Sequence, residues 1–432
     1  MNTKKIFSTL AAALLLALPY QASAAIDPAS VQKLVAADET VREKSGAFQQ
    51  PAGMMMAMAS YRTGRDEFGD SVALSGDTAI IGAPFDDDKG QDAGAAYIFS
   101  RAADGRWSQQ AKLTAAAADA YDWFGRSVSL STDGNTALIG ATGDDDMGNQ
   151  NGAAYIFTRT ADNGWTQTAK LTVAKDSNML GRDLNLSGDG QIALCIASPY
   201  AVYVFSRTAD GRWSQQAKLT TAEDGVRFGG GSMSLSLSAN GSTALIGAYS
   251  VAEESVVFTT YHPGSVYVFS RAADGRWSQQ AKLAAADGEL NNSFGSSLSL
   301  SADGSKALIG ARGDKYNKGA AYVFSHAADG RWSQQAKLVA AGIGSGDSFG
   351  TSASLSADGG TALILGWNDR NPNMGGLAYV FTRTGSSWEQ QNNLVSKDFV
   401  ISASLSPDGG TALLGSNKDA AYIFTGSAKP SL

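Results

Sequence analysis

The sequence predicts an all-β fold: a seven-bladed β-propeller of four-stranded antiparallel blades, with a short N-terminal helix after a signal peptide. Three observations predict it. The segment RAADGRWSQQAKL stands at Arg101–Leu113, recurs letter for letter at Arg271–Leu283, and returns nearly unchanged at Arg207–Leu219 and His326–Leu338. Looser copies at Arg159–Leu171 and Arg383–Leu394 extend the series. Its tryptophans, Trp107, Trp165, Trp213, Trp277, Trp332 and Trp388, therefore lie 58, 48, 64, 55 and 56 residues apart. A period of that length marks an array of supersecondary units rather than one irregular core. Composition agrees, because 49 glycines and only 17% charged residues favour short strands and turns over helices.

Residues 1–24 read as a signal peptide. Lys4 and Lys5 form a basic start, Ile6 to Leu18 is mostly apolar, and Ala22-Ser23-Ala24 is a small-residue cleavage box. No later stretch approaches the roughly 20 apolar residues of a spanning helix, so the expectation is a soluble secreted or periplasmic chain. Loss of Lys4 and Lys5 takes the net charge from −7 to −9. An acidic chain is poorly suited to nucleic acid, whose affinity rests on Lys and Arg contacts to phosphate. The single cysteine, Cys195, excludes an internal disulfide scaffold and reads as an inert buried thiol. Asp27-Pro28 is a helix-start signal, and Val31, Leu34 and Val35 are spaced for one helical face, so residues 25–46 read as a helical lead-in.

From Asp66 each unit carries four strand patterns. Ser71–Ser75, Ser127–Ser131, Ser297–Ser301, Ser352–Ser356 and Ser402–Ser406 alternate serine with apolar residues, the period of a strand with two unlike faces. An Asp-Gly or Asn-Gly turn follows in most copies, a strong short-range hairpin signal. The second strand (TALIGA) and third (GAAYIF) are continuously apolar, which implies burial on both faces. The fourth, RWSQQAKL, puts Trp107, Gln109, Ala111 and Leu113 on one face, and its lysine reads as a guard against edge pairing. Seven first strands are present, yet the seventh unit ends at Phe424 without a tryptophan strand. The segment 47–58, in which Phe48-Gln49-Gln50 echoes WSQQ, is expected to supply that strand and close a ring spanning 47–426, with 427–432 as a tail.

The unit resembles the FG-GAP repeat of integrin α-chain propellers and of bacterial secreted proteins. Phe-Gly pairs stand at Phe68-Gly69, Phe124-Gly125, Phe228-Gly229, Phe294-Gly295 and Phe349-Gly350, and the Gly-Ala-Pro element is complete at Gly82-Ala83-Pro84. The resemblance covers residues 66–425 and implies a propeller used for binding and adhesion. It also implies Ca²⁺ loops between first and second strands. Here those loops are Ser-x-Asp-Gly turns without the about 6–8 oxygens calcium takes, so the family's calcium sites do not carry over.

Chemistry is expected on the rim where loops from the second to the third strand (2–3) and from one blade to the next (4–1) emerge. Acid clusters stand there at Asp86-Asp87-Asp88 with Asp92, and at Asp144-Asp145-Asp146. One reading makes them a cation or cationic-ligand site, with Asp86, Asp88, Asp92, Asp144 and Asp146 as ligands to Ca²⁺. The other, favoured because only two of seven blades carry the triplet, makes them solvated loops that keep a glycine-rich surface soluble. Tyr261 and His262, in the insertion Ser250–Gly264 of blade four, are further candidates as a ligand-contacting lip. Arg312-Gly313-Asp314 fills the slot of Thr142-Gly143-Asp144 and reads as chance rather than an adhesion motif. No nucleophile–base arrangement can be assembled. The expected function is a monomeric, non-enzymatic module that binds a protein or a cell-surface ligand. The alternative is a polysaccharide-binding or polysaccharide-cleaving propeller using rim carboxylates.

Overall fold

The computed structural model describes residues 25–37 and 66–426, apart from 147–150, 175–177, 198–200, 222, 224–225, 229–233, 251–263, 290–291 and 368–375. It is a seven-bladed β-propeller. Blade one runs outward through Val72–Ser75, Thr78–Ala83, Ala95–Arg101 and Trp107–Leu113, each strand antiparallel to the next. The other blades repeat this order. In blade four the inner strand is split into Val226–Phe228 and Leu235–Leu237, and in blade six the outer one into Ser387–Gln390 and Leu394–Val395.

The chain has no single core. Seven apolar clusters each fill the space between two neighbouring blades; one, for example, joins Ile423 and Leu34 of blade seven to Phe68, Tyr97 and Trp107 of blade one. The motif residues are the parts of those joints. Phe68 packs edge-on against Tyr97 and Phe99, with ring centroids 5.3 and 6.1 Å apart, and the same trio recurs at Phe124, Phe228, Phe294 and Phe349. The glycines of four Phe-Gly pairs, Gly69, Gly125, Gly295 and Gly350, meet the second-strand glycine of the preceding blade, Gly415, Gly82, Gly247 and Gly310. A Cβ on Gly82 would lie 2.0 Å from the Gly125 carbonyl oxygen, so no other residue fits. That same oxygen accepts the Ser71 hydroxyl at 2.8 Å, and Ser127, Ser297 and Ser402 repeat the bond at later joints.

The alternating serines stitch the joints further inward. Ser129, Ser236, Ser299, Ser354 and Ser404 each accept the backbone N–H of a leucine in the next blade. Asn185 does so for Leu237, while blade one carries Ala73 at that place. The tryptophans face the stack as the alternation predicts. Trp107 is buried in the joint between blades seven and one, and Trp165, Trp213, Trp277, Trp332 and Trp388 pack on the clusters beside them.

The N-terminal expectation is corrected. Residues 26–34 are not helical: Ile26–Leu34 is a strand antiparallel to Ala420–Gly426 and forms the outer strand of blade seven. It therefore fills the place expected of segment 47–58, which lies outside the described residues along with the rest of 38–65, the signal segment 1–24 and the tail 427–432. The physical reason is a period of two. Ile26 and Leu34 are buried, Ser30 and Gln32 are half-buried, and Val31 and Val35, two of the three residues of the supposed helical stripe, face solvent. Lys33 pairs with Tyr422 and Leu34 with Ala421, as Lys112 pairs with Tyr97 and Leu113 with Ala96, so QKL stands here for QAKL. Gln32 bonds both backbone groups of Trp107, and the Ala37 N–H donates to Gln109 Oε1, a latch repeated between Ala116 and Gln167.

Candidate functional site

The rim begins as a set of interlocked loops. The Trp123 and Phe124 N–H groups donate to the carbonyls of Asp92 and Ala93, and those of Ser348 and Phe349 to Asn317 and Lys318. The 2–3 loops of blades one and five are thereby tied to the connections entering blades two and six. The residue before the Phe-Gly pair takes a left-handed conformation to do this, with φ of 52° to 54° at Glu67, Trp123 and Ser293 and 46° at Ser348. Such positions on non-glycine residues persist only where their surroundings over-determine them.

The acid clusters sit on this rim, but their buried members are already occupied. Asp86 is 3% exposed and accepts the Tyr97 hydroxyl at 2.7 Å. Lys112 Nζ lies 2.7 Å from Asp86 and 2.5 Å from Asp88, 5.2 Å above the centre of the Tyr97 ring. In blade two Lys170 Nζ lies 2.7 Å from Asp144 and 2.6 Å from Asp146, and the Tyr155 hydroxyl donates to Asp144. Burial, then Asp144, pushes the Tyr155 phenol far above its ordinary range. Converging oxygens are thus present, but the cation between them is a lysine ammonium supplied by the fourth strand. Lysine ammonium groups thus hold the places between Asp86 and Asp88 and between Asp144 and Asp146 where the calcium reading sets the ion. Asp92, half-buried, and the exposed Asp87 and Asp145 surround these clusters, with the Asp87 carboxylate accepting the Asp92 N–H at 2.8 Å. Among the described residues no group of three or more His, Cys, Asp or Glu is placed to hold a metal.

The arrangement recurs with the acid drawn from whichever loop reaches it. Lys337 lies 2.7 Å from both Asp287 and Asp314, with Tyr322 donating to Asp287; Lys282 meets Glu223 at 2.5 Å; Lys33 and Lys418 flank Asp398, which accepts the Tyr422 hydroxyl. The sequence carries this signal in the fixed register of the AKL lysine with the GAAY tyrosine, and reading the lysine as an edge guard misses it. Asp314 is 3% exposed and bound to Lys337, so the Arg312-Gly313-Asp314 tripeptide offers no free carboxylate. Tyr261 and His262 lie outside the described residues. His326 stacks on Trp332 at 5.2 Å, the place where Arg159 covers Trp165. Cys195 is fully buried, and burial drives its thiol pKa upward.

Sequence reading overlooks a feature of blade five. In the turn Asp314–Asn317, Lys315, Tyr316 and Asn317 have φ of 46°, 63° and 60°, and Tyr316 is 91% exposed. Consecutive left-handed residues cost on the order of 1–2 kcal/mol each. The turn is held by the Ser345 hydroxyl, 2.9 Å from the Tyr316 carbonyl, and by the Ser348 N–H, 2.7 Å from that of Asn317.

Comparison with known proteins bears on the fold. The FG-GAP repeat model matches residues 58–99, 107–157, 277–324 and 332–381. No curated protein sequence matches the chain. Among solved structures, the β-propeller domain of Cps50 (Swd1) from Myceliophteria thermophila is similar at 13% identity and a TM-score of 0.56, over 83% of this chain and 96% of that one. Hydrazine synthase from Kuenenia stuttgartiensis is similar at 12% identity and a TM-score of 0.56, over 87% of this chain and 100% of that one. A chain of the mitotic checkpoint complex is similar at 13% identity and a TM-score of 0.54, over 84% of this chain and 92% of that one. At such identities the likeness is one of fold alone. With four repeat matches, seven blades and the Phe-Gly and Gly-Ala pairs forming the joints between them, the chain is an FG-GAP repeat β-propeller.

Proposed function

We propose that this protein is a non-enzymatic binding module acting outside the cytoplasm, which engages a protein or cell-surface ligand through the rim of 2–3 and 4–1 loops. The observation that carries the reading is where the copies differ. Strands and outer hairpins repeat almost letter for letter, whereas the residue after the second-strand Gly-Ala pair, or its counterpart, is Pro84, Thr142, Arg312, Trp367 or Asn417. Pro84 and Thr142 are buried, whereas Arg312 and Trp367 are half-buried and Asn417 is exposed; these last stand on loops locked by recurring backbone bonds, and a rigid frame carrying unlike side chains is suited to recognition. A place outside the cytoplasm is supported by the cleavage box, which ends two residues before the closing strand begins at Ile26. Loss of the leader leaves that strand whole.

Polysaccharide cleavage by rim acids is the weaker reading, because the oxygens of Asp86 and Asp144 are engaged by lysine and tyrosine. The test immobilises the mature chain and a triple variant, Arg312→Ser, Tyr316→Ser and Trp367→Ser, and exposes both to envelope extract and spent medium of the source organism. Proteins retained by the native chain and lost by the variant support the rim. Equal capture by both, or release of reducing sugar from a polysaccharide panel, overturns the reading.

A further inference from the structure

We propose that the rim of blade five holds a carboxylate-binding site for an acidic peptide segment of a protein partner, built from Arg312 and Asn292 with Tyr316 beside them. The proposal rests on the binding-module reading and adds the chemistry of the partner.

The argument starts from an unmatched cation. Cations packed into this ring commonly face carboxylates: Arg126 meets Asp70, Lys112 meets Asp86 and Asp88, Lys170 meets Asp144 and Asp146, and Lys337 meets Asp287 and Asp314. Arg312 is half-buried and has no carboxylate partner among the described residues. Burial alone acts on it, lowering its pKa with nothing pushing back. A guanidinium does not shed its proton in a protein, so that desolvation stays uncompensated until an anion arrives.

A second unmatched donor lies on the segment whose backbone pairs with that of Arg312 and Gly313. The Arg312 N–H reaches the Ser296 hydroxyl at 3.4 Å, and the Gly313 N–H donates to the Asn292 carbonyl at 3.1 Å, which sets the two segments side by side. Asn292 is 1% exposed, and its amide nitrogen Nδ2 has no acceptor among the described residues. Two residues before the Phe-Gly pair, blades one, two and six carry Asp66, Asp122 and Asp347 where blade five carries Asn292. An aspartate there would supply the missing anion. Blade five instead combines the arginine with an amide and leaves donors in excess. A forked guanidinium beside an amide donor suits a carboxylate, which accepts two bonds in one plane.

Tyr316 decides the kind of partner. Its ring is held out on a strained turn pinned by Ser345 and Ser348, with the exposed Lys315 on one side and the half-buried Lys318 on the other. An exposed tyrosine four residues after a desolvated arginine supplies two residue types enriched in protein–protein hot spots, and the lysines steer an acidic segment toward it.

The test is fluorescence anisotropy of the mature chain with a labelled peptide Gly-Phe-Asp-Glu-Asp-Gly and its neutral counterpart Gly-Phe-Asn-Gln-Asn-Gly. The acidic peptide is expected to bind at least about tenfold more tightly. Arg312→Ala, Arg312→Lys and Asn292→Asp should each weaken it by about tenfold or more, because a lysine lacks the fork and an aspartate fills the site from within. Arg106→Ala, on the opposite rim, should leave binding unchanged. The Tm of Arg312→Ala should not fall, since an unpaired desolvated charge is removed, so lost binding is not lost folding. Four outcomes overturn the proposal: no titration with the acidic peptide, equal affinity for the neutral one, unchanged binding by Arg312→Ala, or displacement of the peptide by equimolar inorganic phosphate or polygalacturonate. If the triple rim variant loses its captured proteins while Arg312→Ala alone does not, the rim reading stands and the blade-five site falls.

Discussion

Ring closure by Ile26–Leu34 makes a quantitative prediction. Leu34 is 2% exposed and packs in the joint between blades seven and one. Truncation to alanine should cost about 2–5 kcal/mol, transfer and cavity together. Removal of residues 25–37 loses more. Ile26 and Leu34 contribute roughly 1.5–3 kcal/mol each by burial, and the two Gln32–Trp107 bonds and the Ala37–Gln109 bond contribute about 0.5–1.5 kcal/mol each. Together these reach roughly 5–10 kcal/mol, comparable with the whole folding free energy of a domain at about 5–15 kcal/mol. The assay is urea unfolding followed by tryptophan fluorescence. With an m-value near about 3 kcal/mol/M, Leu34→Ala should lower the midpoint by roughly 1 M, and the chain lacking 25–37 should show no cooperative transition. Deletion of 47–58 should leave the midpoint unchanged. The reasoning is refuted if that deletion destabilises the ring while Leu34→Ala does not.

Four further outcomes follow from the joints and the rim. Ala73→Ser supplies the hydroxyl that other blades present to a leucine N–H, and should stabilise by about 0.5–1.5 kcal/mol in the same assay. The native Tm should not move with EDTA or Ca²⁺. Lys112→Ala should lower stability by about 3–5 kcal/mol by stranding Asp86, and Ca²⁺ should then restore part of it; a variant indifferent to Ca²⁺ counts against convergent oxygens at that point. Asp183 stands where other blades carry serine, accepts the N–H groups of Leu184 and Leu235, and has its pKa raised to about 6 by burial, which those bonds and Arg182 oppose. A raised folded pKa contributes stability present below the unfolded value near 4 and lost as pH rises through 6. Asp183→Ser should therefore gain on the native chain between pH 4 and 7, and a constant difference across that window would contradict the shift.

The architecture was legible because each joint makes the same demands. Phe-Gly, Gly-Ala, the serine alternation and the buried tryptophan recur because each meets its counterpart in the next blade, so blade count and strand order follow from repetition. The closing strand escaped because Asp27-Pro28 and the Val31, Leu34, Val35 spacing satisfy a helix locally, while the pairing that makes them a strand lies almost 400 residues away, at Ala421 to Gly426. The echo of AKL in Gln32-Lys33-Leu34 was the available clue. Rim chemistry was less legible, because charge along a sequence does not reveal who neutralises it. Asp86 and Lys112 meet only after the third and fourth strands have folded back on each other.

The lysine at the centre of each acid cluster changes what the rim can recognise. In a loop that holds calcium, carboxylates gather an ion from outside; here Lys112, Lys170 and Lys337 arrive with the fourth strand, and the buried acids are neutralised as the blade forms. A chain of net charge −7 therefore need not present a strongly anionic rim, and its buried aspartates are poor candidates for binding cations. What the clusters cannot neutralise is a cation outside their reach. Arg312 sits one residue before Gly313 and two before Asp314, whose carboxylate turns to Lys337. The lysine that completes the blade-five cluster thus takes the acid nearest in sequence to Arg312, and the arginine is left for a carboxylate from another molecule.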